Sequence, residues 1–307
     1  SAVSGDQGAD MTQPLHAPYA TGLHKLSVGL APLDIAHWFE PDRQWPEQMA
    51  NKGAMLRFQH GDVVASLPES AAAQDELLET MIAHLPRAHP NLFTMEPKGL
   101  RIQGLHPGGA NNPSLWPIDR CGRMVQEDLC LMQADGDRFV LTAASLCAPS
   151  GWKLSEKLGQ PLIGIHAPVP GYDVELAHRV QRVFQGLQAG QLVWRTNWSL
   201  ATEPTLFMPG GHSVSPVQGD AITAANAGTH VWLRVERQTL TRLPRTGAIL
   251  FTIKTHIDPV SSLRGHPELC AGLRGSVETM KPEMRDYKAI TRYKAALIAW
   301  LDAQIGP

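Results

Sequence analysis

The stretch LIGIHAPVPGY (residues 162–172) places one histidine, His166, between a short apolar run and two prolines. Pro168 and Pro170 restrict the backbone that follows, so the imidazole is presented on a stiff segment. A neutral imidazole can ligate a metal ion or a haem iron, and it can also act as a general base. A histidine that is hydrogen-bonded within a turn would give the same pattern. The stretch therefore leaves three alternatives open: a structural histidine, a metal or haem ligand, or a catalytic base.

The stretch RVERQTL (residues 234–240) carries charges on both faces of a predicted strand. Arg234 and Glu236 share one face and Arg237 lies on the other, because side chains alternate along a strand. Buried charges need partners, and an internal Arg–Glu network would supply them. The alternative is that Arg234 or Arg237, with Arg245 in the following loop, binds an anionic group such as a haem propionate or a cofactor phosphate.

The stretch VWRTNWSL (residues 193–200) has two tryptophans four residues apart. In a strand, Trp194 and Trp198 share one face and Asn197 lies on the other. Packing in the core explains the tryptophans as well as a wall for a flat ligand does. Trp198 is therefore a candidate cofactor contact, and Asn197 is a candidate for hydrogen bonding a small polar ligand.

Composition excludes several classes of protein. A net charge of -2 argues against nucleic acid as the main partner. No apolar run approaches the ~20 residues of a membrane-spanning helix. Residues 1–16 lack the basic and then apolar pattern of a secretory signal, and Met11 is a candidate native start. The four cysteines form no CxxC pair, which favours a reducing cytoplasm and argues against a zinc knuckle or an iron–sulfur cluster held by this chain. The sequence also contains no GxGxxG, GxxxxGK, HExxH or GxSxG motif.

Hydrophobic periodicity predicts the elements that must position these residues. Alternation of apolar and polar residues predicts strands, and the DGD turn joins the first two of them as a hairpin. Helical spacing predicts a helix that begins after Ser70 and ends at Pro86, a helical connection in the centre of the chain, and helices at the C-terminal end. The predicted strands are 127–134, 138–147, 191–200, 230–240 and 248–257.

This order predicts an α+β fold: a five-stranded antiparallel sheet with inserted and flanking helices, like that of a PAS domain. We expect residues 1–20 to be a flexible N-terminus and residues 21–120 to be a loop-rich and helical segment that wraps the rest. Residues 121–260 would form the PAS-like core, and residues 261–307 would be C-terminal helices packed on that core.

Four stretches together resemble one protein family: GRMVQEDLCLM, PSGWKLSEKLGQPLIGIHAPVPGY, RTNWSL and WLRVERQTLTRLPRTGAILFTIKTHIDP. They are similar to the haem-dependent oxidative N-demethylases, that is, the haem-bearing α subunit of bacterial dimethylamine monooxygenase and its relatives. The resemblance covers roughly residues 20–295. It implies a PAS-like fold that binds haem b, and oxidative demethylation of dimethylamine to methylamine and formaldehyde with O2. It also implies that NADPH supplies electrons through FMN and [2Fe-2S] on separate reductase subunits.

Within that resemblance, local sequence predicts that His166 is the proximal iron ligand, with His230 and His256 as alternatives. The surroundings of Cys147 do not suggest a thiolate ligand. Arg234, Arg237 or Arg245 would pair with the propionates. Aromatic faces would hold a methylated cation, and Asn197 or Glu236 would orient the amine or relay protons.

A haem-binding sensor or carrier without turnover is the alternative function, because one fold can host both roles. The expected partners are a small alkylamine, O2 and the reductase subunits. The sequence leaves the oligomeric state open, a homo-oligomer included.

Overall fold

The structure, a computed structural model, describes residues 14–25, 28–105, 109–172, 174–210 and 216–306. Residues 1–13 of the predicted flexible N-terminus lie outside this part, whereas Tyr19 near its end is fully buried. The described residues form nine strands: β1 Ala31–Pro32, β2 Val64–Ser66, β3 Phe93–Glu96, β4 Gly99–Ile102, β5 Asp128–Asp135, β6 Arg138–Ser145, β7 Leu192–Ala201, β8 Trp232–Arg242 and β9 Ile249–Pro259.

The helices of the described residues fall into three groups along the chain. The first group precedes the central hairpin: α1 Trp45–Phe58, α2 His60–Val63, α3 Ala71–Ala88 and α4 Pro117–Gly122. The second lies between the long strands: α5 Leu154–Lys157, α6 Leu162–His166, α7 Val174–Gly186, α8 Pro216–Asp220 and α9 Ala227–His230. The third closes the chain: α10 Pro267–Thr279, α11 Pro282–Tyr287 and α12 Lys294–Ile305. None of the described helices combines the length and apolarity needed to cross a membrane.

One antiparallel sheet organises the molecule, in the order β1-β7-β8-β9-β5-β6-β2. Its five long strands are the five that the sequence predicts, and β5 and β6 are joined at Gly136, whose φ of 62° suits the tight turn. The prediction of a five-stranded sheet is wrong in its strand count, because the sheet has seven strands. The two additional strands, β1 and β2, have two and three residues and are too short to show an alternating pattern.

The helices also depart from the prediction in particular places. Helix α3 continues past Pro86 to Ala88, since a proline in the last turn removes only one hydrogen bond. Helix α1 lies in a stretch whose apolar residues do not repeat at helical spacing. Its buried side includes Gln48 and Lys52 beside Trp45 and Met49, so the buried positions do not form an apolar stripe.

The sheet has two faces that the rest of the chain covers differently. We call the face that carries Asn197, Glu236 and Ile253 the cleft face, and the face that carries Arg237 and Lys254 the sealed face. On the cleft face, Leu162 of α6 and Phe184 of α7 pack against sheet residues such as Cys130 and Leu240. The sealed face packs against the segment that contains α1 and α3 at one end of β7–β9, and against α10 and α12 at the other.

Candidate functional site

The cleft face of β7–β9 is only partly covered. Phe251, Ile253 and Ile257 lie along the centre of the sheet, yet each keeps part of its surface accessible. Large aliphatic and aromatic side chains in the middle of a sheet are normally fully buried. The cleft face therefore presents an apolar surface that the described residues cover only in part.

His166 closes helix α6 at the edge of this surface. Its Nδ1 donates to the carbonyl of Leu162 at 2.9 Å, and no described residue forms a hydrogen bond with Nε2. Burial lowers the pKa of His166, and the nearby Arg195 guanidinium adds to the effect, although the ring remains partly accessible. The side chain is therefore a partly buried neutral imidazole with the Nε2 lone pair available to a ligand.

Two neighbours hold His166 in place. Tyr172 stacks on its ring, with the ring centroids 4.6 Å apart and the planes 14° from parallel. The Lys157 ammonium donates to the Ile165 carbonyl at 2.9 Å and so fixes the end of α6. The Tyr172 hydroxyl is buried and has no hydrogen-bond partner among the described residues. Such an orphan group beside the imidazole indicates a place where another polar group belongs.

Polar side chains line the β7–β8 part of the cleft face. Asn197 lies directly opposite Glu236 in the ladder, and the Gln238 amide donates to Glu236 Oε2 at 2.9 Å. Burial lowers the pKa of the Arg195 guanidinium, while the Glu236 carboxylate acts in the other direction. Arg195 also donates to the Val28 carbonyl at 3.3 Å. Val28 in turn lines a cleft of about 400 Å³ together with Arg179, Arg182 and Val183.

Arg234 shares this face but is occupied by the protein. Its guanidinium donates to the carbonyls of Ala148 at 2.6 Å, Thr205 at 3.3 Å and Leu206 at 3.1 Å. Only Nε is without a hydrogen bond among the described residues, and it is buried. Arg234 therefore ties two loops to the sheet, which leaves it little capacity to bind a carboxylate.

The other residues predicted from the sequence lie elsewhere. Arg237 is on the sealed face, where it donates hydrogen bonds to the carbonyls of His37 and Trp38. Trp198 is on the same face and packs against Tyr19. Arg245 lies in the loop after β8. Its guanidinium forms one ion pair with Glu76 and one with Glu79, and both glutamates are on α3. The structure thus brings together His166, Asn197, Glu236 and Arg234 on one side of the sheet, and separates them from Arg237, Trp198 and Arg245.

The alternative iron ligands occupy different surroundings. His230 is exposed at the end of α9, and His256 is buried on the sealed face. Cys147 is also buried, and burial raises the pKa of its thiol to about 12. A thiol that stays neutral is a poor ligand for iron.

Three residues of this region were not predicted as site residues: Arg195, Tyr172 and Lys288. Strand alternation places Arg195 on the face of Asn197, so that signal was present in the sequence. Lys288 is buried, donates to the Trp198 carbonyl at 2.6 Å, and burial lowers its pKa to about 8. Nothing in the spacing of the C-terminal segment indicated that a lysine would be buried beside β7.

A second polar cluster lies on the sealed face. His16 Nε2 is 2.9 Å from Glu40 Oε1, and His256 Nε2 is 3.0 Å from the same oxygen. His256 Nδ1 is 3.1 Å from Asp42, which also pairs with Lys254 at 3.2 Å. Burial opposes ionisation of Glu40, but contacts with His16 and His256 and the charge of Arg237 outweigh it and lower the pKa of this carboxyl group. This cluster is on the opposite side of the sheet from His166.

Comparison with known families adds one finding. The model of a family described as haem-dependent oxidative N-demethylase, alpha subunit-like, matches residues 29–298. The matched span contains all the described strands of the main sheet and the whole cleft face. It begins after His16.

Proposed function

Because that match covers most of its length, the chain belongs to the haem-dependent oxidative N-demethylase alpha-subunit-like family, and we propose that it demethylates a small secondary amine. The proposed reaction consumes the amine, O2, two electrons and two protons. It yields the primary amine, formaldehyde and water. Dimethylamine is the proposed type of substrate.

The geometry of His166 carries this proposal. A histidine that ligates a metal commonly donates its other ring nitrogen to a carbonyl or carboxylate, which fixes the tautomer and the ring orientation. The Nδ1 bond to Leu162 has this form and leaves Nε2 for iron. We propose that His166 would hold the iron of haem b.

The surroundings of His166 fit a porphyrin. The half-covered side chains of Phe251, Ile253 and Ile257 provide an apolar surface for a flat ring. The unpartnered hydroxyl of Tyr172 and the guanidinium of Arg195 provide polar groups at its edge. When bound, haem supplies the activation of O2 that no side chain can provide.

The chain's own residues would bind and orient the amine. A secondary amine is a cation at neutral pH, and Glu236 is a partly accessible carboxylate of the cleft face, whereas Asp128 on the same face is buried. It would attract the ammonium group, while the amide oxygen of Asn197, directly opposite, would accept a hydrogen bond from it. Glu236 could also accept the ammonium proton, because the carbon–nitrogen bond is oxidised more readily in the neutral amine.

Electron delivery is proposed to come from other subunits. The family description is that of an alpha subunit, which implies partners. We propose that NADPH reduces these partners and that FMN and [2Fe-2S] carry the electrons to this chain. The sequence contains no CxxC pair or GxGxxG loop of its own for that task.

The test is haem binding and turnover by His166→Ala, with His178→Ala as the matched control because His178 is exposed on α7. We expect wild type and the control to bind haemin with the same absorbance spectrum and to release formaldehyde from dimethylamine when a reductase is supplied. His166→Ala should lose the spectrum of imidazole-ligated haem and the formaldehyde. Haem binding with a gas-dependent spectrum but no formaldehyde would favour the sensor function instead, and wild type that binds no haemin would refute the proposal.

A further inference from the structure

The sealed-face cluster contains three ligand atoms in an arrangement suited to a metal ion. His16 Nε2, a Glu40 carboxylate oxygen and His256 Nε2 all lie within 4.8 Å of one another. Glu40 Oε1 is 2.9 Å from the first nitrogen and 3.0 Å from the second. Two ligands bound at about 2.0–2.2 Å to one ion lie about 3.0 Å apart in an octahedral site and about 3.4 Å apart in a tetrahedral site, so these two separations are close to those of ion-bound ligands.

His256 has an unsatisfied nitrogen that points into this group. The residue is only 4% exposed, and its Nε2 has no hydrogen-bond partner among the described residues although Glu40 is in contact. The carboxylate is close, but it is not placed in the direction of a hydrogen bond. A buried imidazole nitrogen without a bond is unfavourable unless another group occupies its lone pair.

The residues around the three ligands are those that support a metal site. Asp42 contacts Nδ1 of His256, which is the carboxylate–histidine arrangement found behind metal-ligating imidazoles. Arg237 contacts Oε2 of Glu40 at 3.2 Å, so that Oε1 remains the oxygen closest to both imidazoles. Asp42 is itself held by Lys254.

We propose that His16, Glu40 and His256 bind a divalent first-row transition-metal ion, as a site separate from the cleft. Two imidazoles and one carboxylate suit ions such as Zn²⁺, Co²⁺ or Fe²⁺ and do not suit Mg²⁺ or Ca²⁺. Three protein ligands leave coordination positions for water, and the partly exposed side chains of His16 and Glu40 give access from solvent. The ion would join the N-terminal segment, the loop before α1 and strand β9.

The alternative is a metal-free network in which a proton on His256 bridges the two carboxylates. Contacts with Asp42 and Glu40 overcome burial and raise the pKa of His256, and Arg237 and Lys254 already balance the negative charges. The two states differ in one measurable way. A metal ion must displace the proton, so its affinity falls as the pH is lowered, whereas the metal-free network binds no ion at any pH.

Cobalt is the probe, because its absorbance reports ligand type and coordination number. Full-length haem-free protein, cleared of metal with a chelator and free of any histidine tag, would be titrated with Co²⁺ and separately with Zn²⁺ by calorimetry. We expect one ion per chain, a cobalt spectrum of nitrogen and oxygen ligation, and a rise in the melting temperature. His230→Ala, which removes an exposed histidine outside the cluster, should behave as wild type.

Two variants test the assignment of ligands. His16→Gln, at a partly exposed position, should fold and lose at least about 100-fold in affinity, since one of three ligands is removed. Asp42→Asn keeps all three ligands and should lose about 10–100-fold. The proposal is overturned if wild type binds no Co²⁺ or Zn²⁺, or if His16→Gln binds them as well as wild type does. Haem binding through His166 is not required for either outcome, so the test is independent of the proposed function.

Discussion

The two faces of strands β7–β9 reverse the usual relation between polarity and burial. On the sealed face, Arg237, Lys254 and His256 are 2%, 0% and 4% exposed. On the cleft face, Phe251 and Ile253 remain partly accessible. The charges can be buried because residues 37–48 supply partners for them. The apolar side chains stay accessible because the described residues cover them only in part, which is why we propose the cleft face as the side that binds haem.

Loss of one charge from the sealed face should have the largest effect on stability. Lys254→Ala would leave Asp42 buried with less compensation, and breaking a buried pair in this way costs about 3–5 kcal/mol. Urea unfolding should show that loss in the free energy of unfolding. Lys98→Ala, at an exposed position, is the control and should change it by less than about 0.5 kcal/mol. If Lys254→Ala lowered the free energy of unfolding by less than about 1 kcal/mol, the ion pairs of the sealed face would not be important for stability.

Two apolar truncations on the same strand compare the faces directly. Leu250 is fully buried on the sealed face, so Leu250→Ala should cost about 2–5 kcal/mol of unfolding free energy. Ile253→Ala removes a side chain of equal size from the cleft face and should cost only about 1 kcal/mol, because part of that surface is already in water.

The same pair separates ligand binding from stability. Added haemin should raise the melting temperature of wild type and of Leu250→Ala by equal amounts, and that of Ile253→Ala by less. Equal shifts in all three proteins would show that haem does not bind against the cleft face.

Two histidines on opposite faces should respond to pH in opposite directions. His256 has a raised pKa, so its stabilising effect is complete below the ordinary value of 6.5 and is lost as the pH rises through its value in the folded protein. His166 has a lowered pKa, so its contribution to the free energy of unfolding is complete above the ordinary pKa of 6.5. This contribution is lost as the pH falls through the pKa of His166 in the folded protein.

Chemical unfolding at pH 5.5 and 8 tests this difference in metal-free and haem-free protein. His256→Gln should be more damaging at pH 5.5 than at pH 8, and His166→Gln should make the protein less sensitive to acid. Parallel pH profiles for the two variants would contradict the assignment of the protonated form to the sealed face and of the neutral form to the cleft.

The smallest effect is expected from Arg245. Its contact with Glu79 joins two exposed side chains, and pairs of this kind contribute about 0–1 kcal/mol. Arg245→Ala should therefore change the free energy of unfolding by less than about 1 kcal/mol, and haem affinity should not change. A clear loss of haem affinity would restore Arg245 as a propionate partner, as the sequence suggested.

Local patterns in the sequence were sufficient for the five long strands. They also contained the separation of Arg234 from Arg237, since alternate residues of a strand face opposite sides. The sealed-face cluster could not be predicted, because His16, Glu40 and His256 come from distant parts of the chain and only the tertiary fold brings them together. Helix α1 was missed for a related reason: it buries Gln48 and Lys52 against partners that only the tertiary fold provides.

The buried charges of β8 and β9 also determine which side chains line the cleft. A slip of either strand by one residue would carry Arg237 or Lys254 across the sheet and would bring Glu236 or Ile253 to the sealed face. Each slip would separate a buried charge from its partners, at a cost of several kcal/mol. The buried charges of the sealed face thus disfavour the one-residue slips that would change the lining of the cleft on the opposite face.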